Sequence, residues 1–294
     1  MTLPEAGASG SRRWRSRAAT ALLLLPTGAW YALLLIVPLI ILLVFSVGER
    51  APEGGYAPAL QLDNYLRLPT RSTAFVNTVA LATAGTFLCL LAGYPLAYYL
   101  ATRAGSKRTF LLVLVIVPFW TSFLIRTYAW MTILGATGLP SWLEVLGLES
   151  VVLLNTPFAV LIGIVYNYLP LMIFPLYVSL ERLDKGLIEA SKDLGASRVA
   201  TFRQVTLPLS APGVLSGIIL VFIPIMGEYL IPAMLGGGKV FFVGNALFDA
   251  FLQSRNWPFG SAMAIGLILV VLTAVSFYLW LGNRGRVRRE VSLL

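Results

Sequence analysis

Four stretches of this chain carry no charged residue: 18–48, 72–102, 150–180 and 256–283. A fifth, 204–227, stops at Glu228 and resumes as 229–238, and a sixth, 109–125, is interrupted by Arg126 and resumes to 143. A helix needs roughly 20 apolar residues to cross about 30 Å of hydrocarbon. The pattern therefore predicts six membrane-spanning helices, at about 20–47, 73–101, 110–134, 153–179, 212–235 and 261–283. Pro38, Pro95, Pro118, Pro170, Pro175 and Pro224 fall within or near these spans. They predict kinks, which membrane helices tolerate. The N-terminal Ser11-Arg12-Arg13-Trp14 followed by Leu22–Leu25 has the form of a signal peptide. The apolar run continues to Gly48, much longer than a signal peptide needs, and is read as an uncleaved first helix.

The basic residues between the spans predict the orientation. Sixteen of the 22 Lys and Arg lie in the two tails and in the second-to-third and fourth-to-fifth connections. Five (Arg50, Arg67, Arg71, Lys239 and Arg255) lie in the other connections, and Arg126 lies within a span. By the positive-inside rule both termini are cytoplasmic. The organisation expected is a basic tail over 1–19, a six-helix permease domain over 20–283 and a second basic tail over 284–294. The net charge of +9 is then a topology signal, and no nucleic-acid partner is implied.

Composition agrees. The chain is 58% apolar and 12% charged, about half the charge of a soluble domain. Its one cysteine, Cys89, excludes an intrachain disulfide, and the absence of histidine excludes His-based metal sites and acid–base catalysis. Neither paired carboxylates nor a nucleophile arrangement is visible, so no catalytic or metal-binding residue is assigned. Gly238-Lys239 is the nearest approach to a phosphate-binding loop, but Ala233 stands where the first glycine belongs and Val240 replaces Ser/Thr. No cofactor is expected on this chain.

The longest patterned polar segment, 181–210, joins the fourth and fifth spans on the positive side. Leu187–Leu194 is a strong helix former, with Leu187, Ala190, Ser191 and Leu194 on one face and Glu189, Lys192 and Asp193 projecting elsewhere. Gly195 allows a left-handed stop. A turn-rich segment, Ser197–Val205, is expected to come next, and Pro208 and Pro212 suit the start of the fifth span. The small residues Ala190 and Gly195 would let a partner surface approach closely.

Glu189, Ala190, Ser191, Gly195, Val205, Leu207 and Pro208 fit the pattern E-A-[A/S]-x3-G-x9-[I/V]-x-L-P at every spacing. That pattern resembles the coupling loop of permease subunits in binding-protein-dependent ABC importers. The resemblance covers roughly residues 60–283. It includes Asp63-Asn64-Tyr65, Tyr94-Pro95-Leu96-Ala97-Tyr98, the run from Pro118 to Trp130, Tyr168-Leu169-Pro170, Asp193-Leu194-Gly195-Ala196-Ser197, Gly227-Glu228 and Asn256-Trp257-Pro258-Phe259-Gly260. These segments are similar to the spermidine/putrescine-type permeases. The resemblance implies an all-α, MetI-like type I importer permease in a bacterial inner membrane. It also implies a second permease subunit, two ATPase subunits that bind ATP and Mg, and an external substrate-binding protein. A polyamine is the cargo it implies first. A phosphonate, an opine, another small organic cation or a metal complex on the same architecture is the alternative, and an ion-driven carrier a distant one. A carrier needs no ATPase dock, and no inverted repeat is visible.

Ionisable groups inside a membrane usually face a cavity or a partner. Counted along straight helices, Arg126 and Glu228 reach a similar depth, roughly 25 Å from the cytoplasmic side. Glu228 is a candidate for the translocation pathway or a structural partner of Arg126. Arg126 either shares that role or snorkels outward beside Tyr128 and Trp130. Trp120 and Tyr128 offer cation–π surface or belong to an interfacial belt. Asp249, in the apolar external segment Phe241–Phe251, is a weaker pathway candidate.

Overall fold

The computed structural model describes residues 20, 23–147 and 151–291, with side chains to 280. The 1–19 tail and the side chains of Arg284, Arg286, Arg288 and Arg289 lie outside the described residues.

In chain order, α1 is Leu23–Ser46, with a five-residue π-helical stretch at Ala32–Ile36. An antiparallel pair, β1 (Glu49–Arg50) and β2 (Tyr56–Ala57), forms the first loop, and the short α2 (Asp63–Leu66) comes after it. Next are α3 (Ser72–Thr102), α4 (Arg108–Trp120), α5 (Phe123–Leu134), α6 (Leu139–Val145) and α7 (Pro157–Glu181). After these are α8 (Lys185–Asp193), α9 (Arg198–Leu209), α10 (Ala211–Met226), α11 (Leu230–Leu235), α12 (Val243–Phe248) and α13 (Trp257–Val291).

Helix α7 is the centre, packed against α3 and α10. Glycines make these approaches close. A Cβ on Gly213 would meet the Pro175 carbonyl oxygen at 2.6 Å, and one on Gly217 the Met172 sulfur at 2.6 Å. Small residues at helix crossings are how membrane helices gain dispersion contact in a solvent as apolar as their own side chains. Helix α1 stands apart, with α13 as its main helical contact. Its end is tied down by Asn64, whose amide donates to the Ser46 and Gly48 carbonyls at 3.0 and 2.9 Å, and by the Tyr65 hydroxyl on Ser46 Oγ at 2.7 Å. Those carbonyls have no acceptor role within the helix, so the Asp63-Asn64-Tyr65 turn completes the helix terminus.

The six expected spans appear as four unbroken helices long and apolar enough to cross a membrane and two bent pairs. The expected helix 110–134 is broken at Thr121–Ser122 by 89°. Pro118 stands in the last turn of α4, and the Thr121 amide and hydroxyl both turn back onto its carbonyl, at 3.3 and 2.7 Å. Thr121 and Ser122 are then extended (ψ 153° and 133°) before α5 restarts. The expected helix 212–235 stops at Met226, two residues after Pro224, and restarts as α11. The segment Ser197–Val205, expected to be turn-rich, is helical: Ser197 Oγ caps it by accepting from the Ala200 amide at 3.2 Å, and the helix runs through a π stretch to Leu209. A 61° bend at Ser210 separates it from α10. The last helix, expected to end near 283, continues along its backbone to Val291, so residues 284–291 of the expected tail are helical.

Candidate functional site

Two constellations answer to the sequence expectations. The first is the polar hairpin α8–α9. Asp184 caps α8 by accepting from the Gly186 amide at 2.8 Å. At the other end Gly195 has φ +81°, its amide donates to the Lys192 carbonyl at 2.8 Å, and the Ala196 amide donates to the Ser191 carbonyl at 3.1 Å. This pair of bonds around a left-handed glycine is the Schellman arrangement, which satisfies carbonyls the helix leaves open. The turn reverses the chain, and Ser191 and Thr201 hydroxyls meet across it at 3.1 Å. Glu189, Ala190 and Asp193 are exposed on α8, and Leu207 and Pro208 close α9 and lead into α10, whose first turn holds Pro212. Leu187, Leu194 and Val199 are exposed as well, Leu194 at 89%. Leu187 and Leu194 flank the charges of α8, giving the hairpin an apolar patch with a polar rim. A shallow hollow of 530 Å³ lies against Ser197, Val199, Ala200, Arg203 and Gln204.

The second constellation sits where the spans break. Glu228 is 8% exposed and stands just beyond the end of α10. Its Oε1 accepts from the Leu230 and Ile231 amides at 2.8 and 3.3 Å, the first two helical N–H groups of α11. Its Oε2 accepts from the Tyr168 hydroxyl, on α7, at 2.5 Å. The carboxylate thus caps one helix and latches it to the central one. A negative side chain at a helix N-terminus also complements the helix dipole. The neighbouring segment is fastened in the same manner: Asn245 donates to the Tyr229 carbonyl at 2.8 Å, and Thr78 Oγ1 accepts from the Val243 amide at 2.9 Å.

Arg126 does not pair with Glu228. It is 7% exposed, with its guanidinium carbon 5.4 Å from the Phe119 ring centre and 5.7 Å from that of Phe123. Phe123 in turn lies edge-on to Tyr168 at 6.1 Å. The order across the break is therefore Phe119, Arg126, Phe123, Tyr168, Glu228, with the tyrosine holding the position expected for the arginine. Nor does Arg126 snorkel: its side chain folds back over the elbow between α4 and α5, as helical side chains lean toward the N-terminus, and two ring faces hold the cation. The straight-helix depth also fails for Arg126. Helix α4 spans roughly 20 Å before the chain turns through a near right angle. Trp120 is 82% exposed, Tyr128 is exposed and Asp249 is half-buried, and none of the three joins the Glu228 cluster.

Sequence reasoning singles out no site role for Tyr168, Thr78 or Asn245. Each is a hydrogen-bonding side chain in an apolar stretch, and such a group needs a partner when buried. That signal is present in the chain, though it does not say which partner.

The family described as "Binding-protein-dependent transport system inner membrane component" matches residues 93–287. The chain is 39% identical over 270 residues to the spermidine/putrescine transport system permease protein PotB of Haemophilus influenzae, covering 90% of this chain and 94% of that protein. It is 38% identical over 261 residues to PotB of Escherichia coli K12, covering 87% and 94%. Among solved structures, a bacterial ABC transporter involved in import of the acidic polysaccharide alginate aligns with TM-score 0.73 at 19% identity, covering 93% of this chain and 99% of that one. That likeness carries the fold.

Proposed function

This chain belongs to the binding-protein-dependent transport system inner membrane components, and we propose that within that family it is the permease subunit of an ATP-driven importer of spermidine and putrescine. It is a multi-pass inner-membrane protein with the MetI-like type I fold. The observation that carries the cargo is similarity to two spermidine/putrescine permeases along about nine-tenths of the chain.

The partners stem from the division of labour in such a machine. The α8–α9 hairpin presents exposed Leu187, Leu194 and Val199 beside Glu189, Lys192 and Asp193. That surface suits an ATPase subunit on the cytoplasmic side, where ATP and Mg would be held. A second permease subunit would complete the pathway as a heterodimer, and an external binding protein would deliver cargo. With two ATPases, the hairpins of the two permeases would each have one dock.

Two measurements test this reading. Spermidine uptake by the assembled transporter should depend on this chain, and an assembled transporter that moves neither spermidine nor putrescine removes the cargo assignment. Orientation is tested by labelling. A cysteine introduced within 48–69 should react with an impermeant thiol reagent applied from outside, and one within 181–207 should not. Native Cys89 is buried, which keeps the background low. The reverse labelling pattern would invert the topology and move the hairpin away from any cytoplasmic ATPase.

A further inference from the structure

The carboxylate expected to meet cargo, Glu228, is already engaged by three donors. Asp249 is not. Among the described residues its side chain has no hydrogen bond and no ion pair. It is half-buried and opens a π-helical stretch, Asp249–Gln253, that continues α12. Such irregular turns cost regular hydrogen bonding and recur at functional sites.

Immediately before it stands Phe248. The Phe248 and Tyr229 rings are stacked, 5.5 Å apart and 10° from parallel. Both are exposed, at 39% and 44%. Tyr229 is held from behind: Asn245 binds its carbonyl, and a Cβ on Gly244 would collide with the Glu228 backbone. The rings therefore form a rigid aromatic face on a fixed backbone.

The surroundings argue against lipid on this face. Gly227 and Tyr229 are exposed where the backbone leaves helical geometry between α10 and α11. Non-helical backbone at membrane depth is tolerated only where it is buried in protein or lines a water-filled cavity. An unpaired carboxylate facing hydrocarbon carries the same penalty. Interrupted helices of this kind build substrate sites in other transporters.

We propose that the stacked rings of Tyr229 and Phe248, with the unpaired Asp249 carboxylate next to Phe248 on the same helical run, form a ledge that receives an ammonium group of a linear di- or polyamine on its way through the permease. The ring face attracts the cation and the carboxylate supplies its countercharge. One carboxylate and one aromatic pair hold a single ammonium of a longer cargo, so the ledge binds weakly enough to release it. Glu228, engaged by the Leu230 and Ile231 amides and the Tyr168 hydroxyl, caps α11 beside the ledge, and Asn245 holds the Tyr229 backbone.

This inference rests on the amine reading of the cargo, and one experiment separates the two. The full transporter, this chain with its second permease, ATPases and receptor, is assayed in proteoliposomes with radiolabelled spermidine. Rates are normalised to the complex that co-purifies. Asp249→Asn and Phe248→Leu should each lower initial uptake about tenfold, and Phe248→Trp should stay within about twofold of the parent. The ledge is overturned if Asp249→Asn transports like the parent, or if Phe248→Trp fails as badly as Phe248→Leu, which would make the ring a packing element. Should Phe248→Leu fail to assemble, the near-isosteric Asp249→Asn decides alone. A parent complex that moves neither spermidine nor putrescine ends the amine reading and the ledge together. A parent that transports, with variants unchanged, ends only the ledge.

Discussion

Replacing Glu228 with alanine should lower the stability of the detergent-solubilised protein by about 3 kcal/mol and sharply reduce the complex recovered. The carboxylate accepts from the Leu230 and Ile231 amides and from the Tyr168 hydroxyl. Truncation leaves the hydroxyl and two helix-terminal donors without an acceptor in a protein interior. Water does not replace what is lost, because Tyr168 and Glu228 are both buried. Glu228→Gln should cost less, about 1 kcal/mol, because its remaining oxygen still caps α11. The partner is identified by two double-mutant cycles. Tyr168→Phe combined with Glu228→Gln should couple by about 1 kcal/mol or more, and Arg126→Gln combined with Glu228→Gln by less than about 0.5 kcal/mol. Thermal unfolding reads both. Strong coupling to Arg126 would restore the ion pair that the sequence suggests. A Glu228→Ala protein that unfolds and assembles like the parent but transports nothing would return the carboxylate to the pathway.

The contrast between Glu228 and Gly195 explains what is legible in the sequence. The role of Gly195 is local: a helix former precedes it, a reversal comes after it, and only a residue tolerant of positive φ fits between. Both backbone hydrogen bonds that close the turn join residues no more than four positions from the glycine. The role of Glu228 is set by Tyr168, 60 positions away, and no spacing rule connects them. Counting rise along a straight helix misplaces Arg126. A charge-free run gives length but not direction, and the break at Thr121–Ser122 turns the second half through 89°. Pro118 is visible as a kink, yet the full stop depends on the Thr121 hydroxyl binding its carbonyl.

Ser197 illustrates the opposite error. A Ser after Gly-Ala reads as the start of a turn-rich stretch, whereas it caps a helix. The same side-chain oxygen serves both purposes, and the choice is made by the residues beyond it. Here Arg198–Leu209 can continue as helix because α10 begins beyond a bend rather than in line with it. The runs that form α3, α7 and α13 are located from sequence to within a few residues at their starts, because an unbroken apolar stretch of that length has few alternatives in lipid.

Gly195→Val is expected to reduce spermidine uptake at least about tenfold while the protein still inserts and folds. A Cβ at this position would meet nothing within 4 Å, so side-chain crowding is not the obstacle. The obstacle is φ +81°, which a β-branched residue adopts only at a cost of about 1–2 kcal/mol. The chain would escape that strain by unwinding the end of α8. The Lys192 and Ser191 carbonyls would lose their donors, the Ser191–Thr201 contact would open, and the exposed Leu194 would leave its place on the hairpin. A dock built on that patch could not stay in register. Gly195→Asn is the discriminating control, because asparagine tolerates the left-handed region and should retain most uptake. Glu189→Lys reaches the same surface by another route, inverting one exposed charge without touching the backbone. Its effect should weaken at high salt, since exposed charges are screened, whereas the Gly195→Val defect should not. Uptake and ATPase co-purification at two ionic strengths separate the two causes. Parental uptake in both Gly195→Val and Glu189→Lys would remove the hairpin from the mechanism. Equal loss in Gly195→Asn and Gly195→Val would assign the defect to a partner surface pressed against the glycine rather than to the turn.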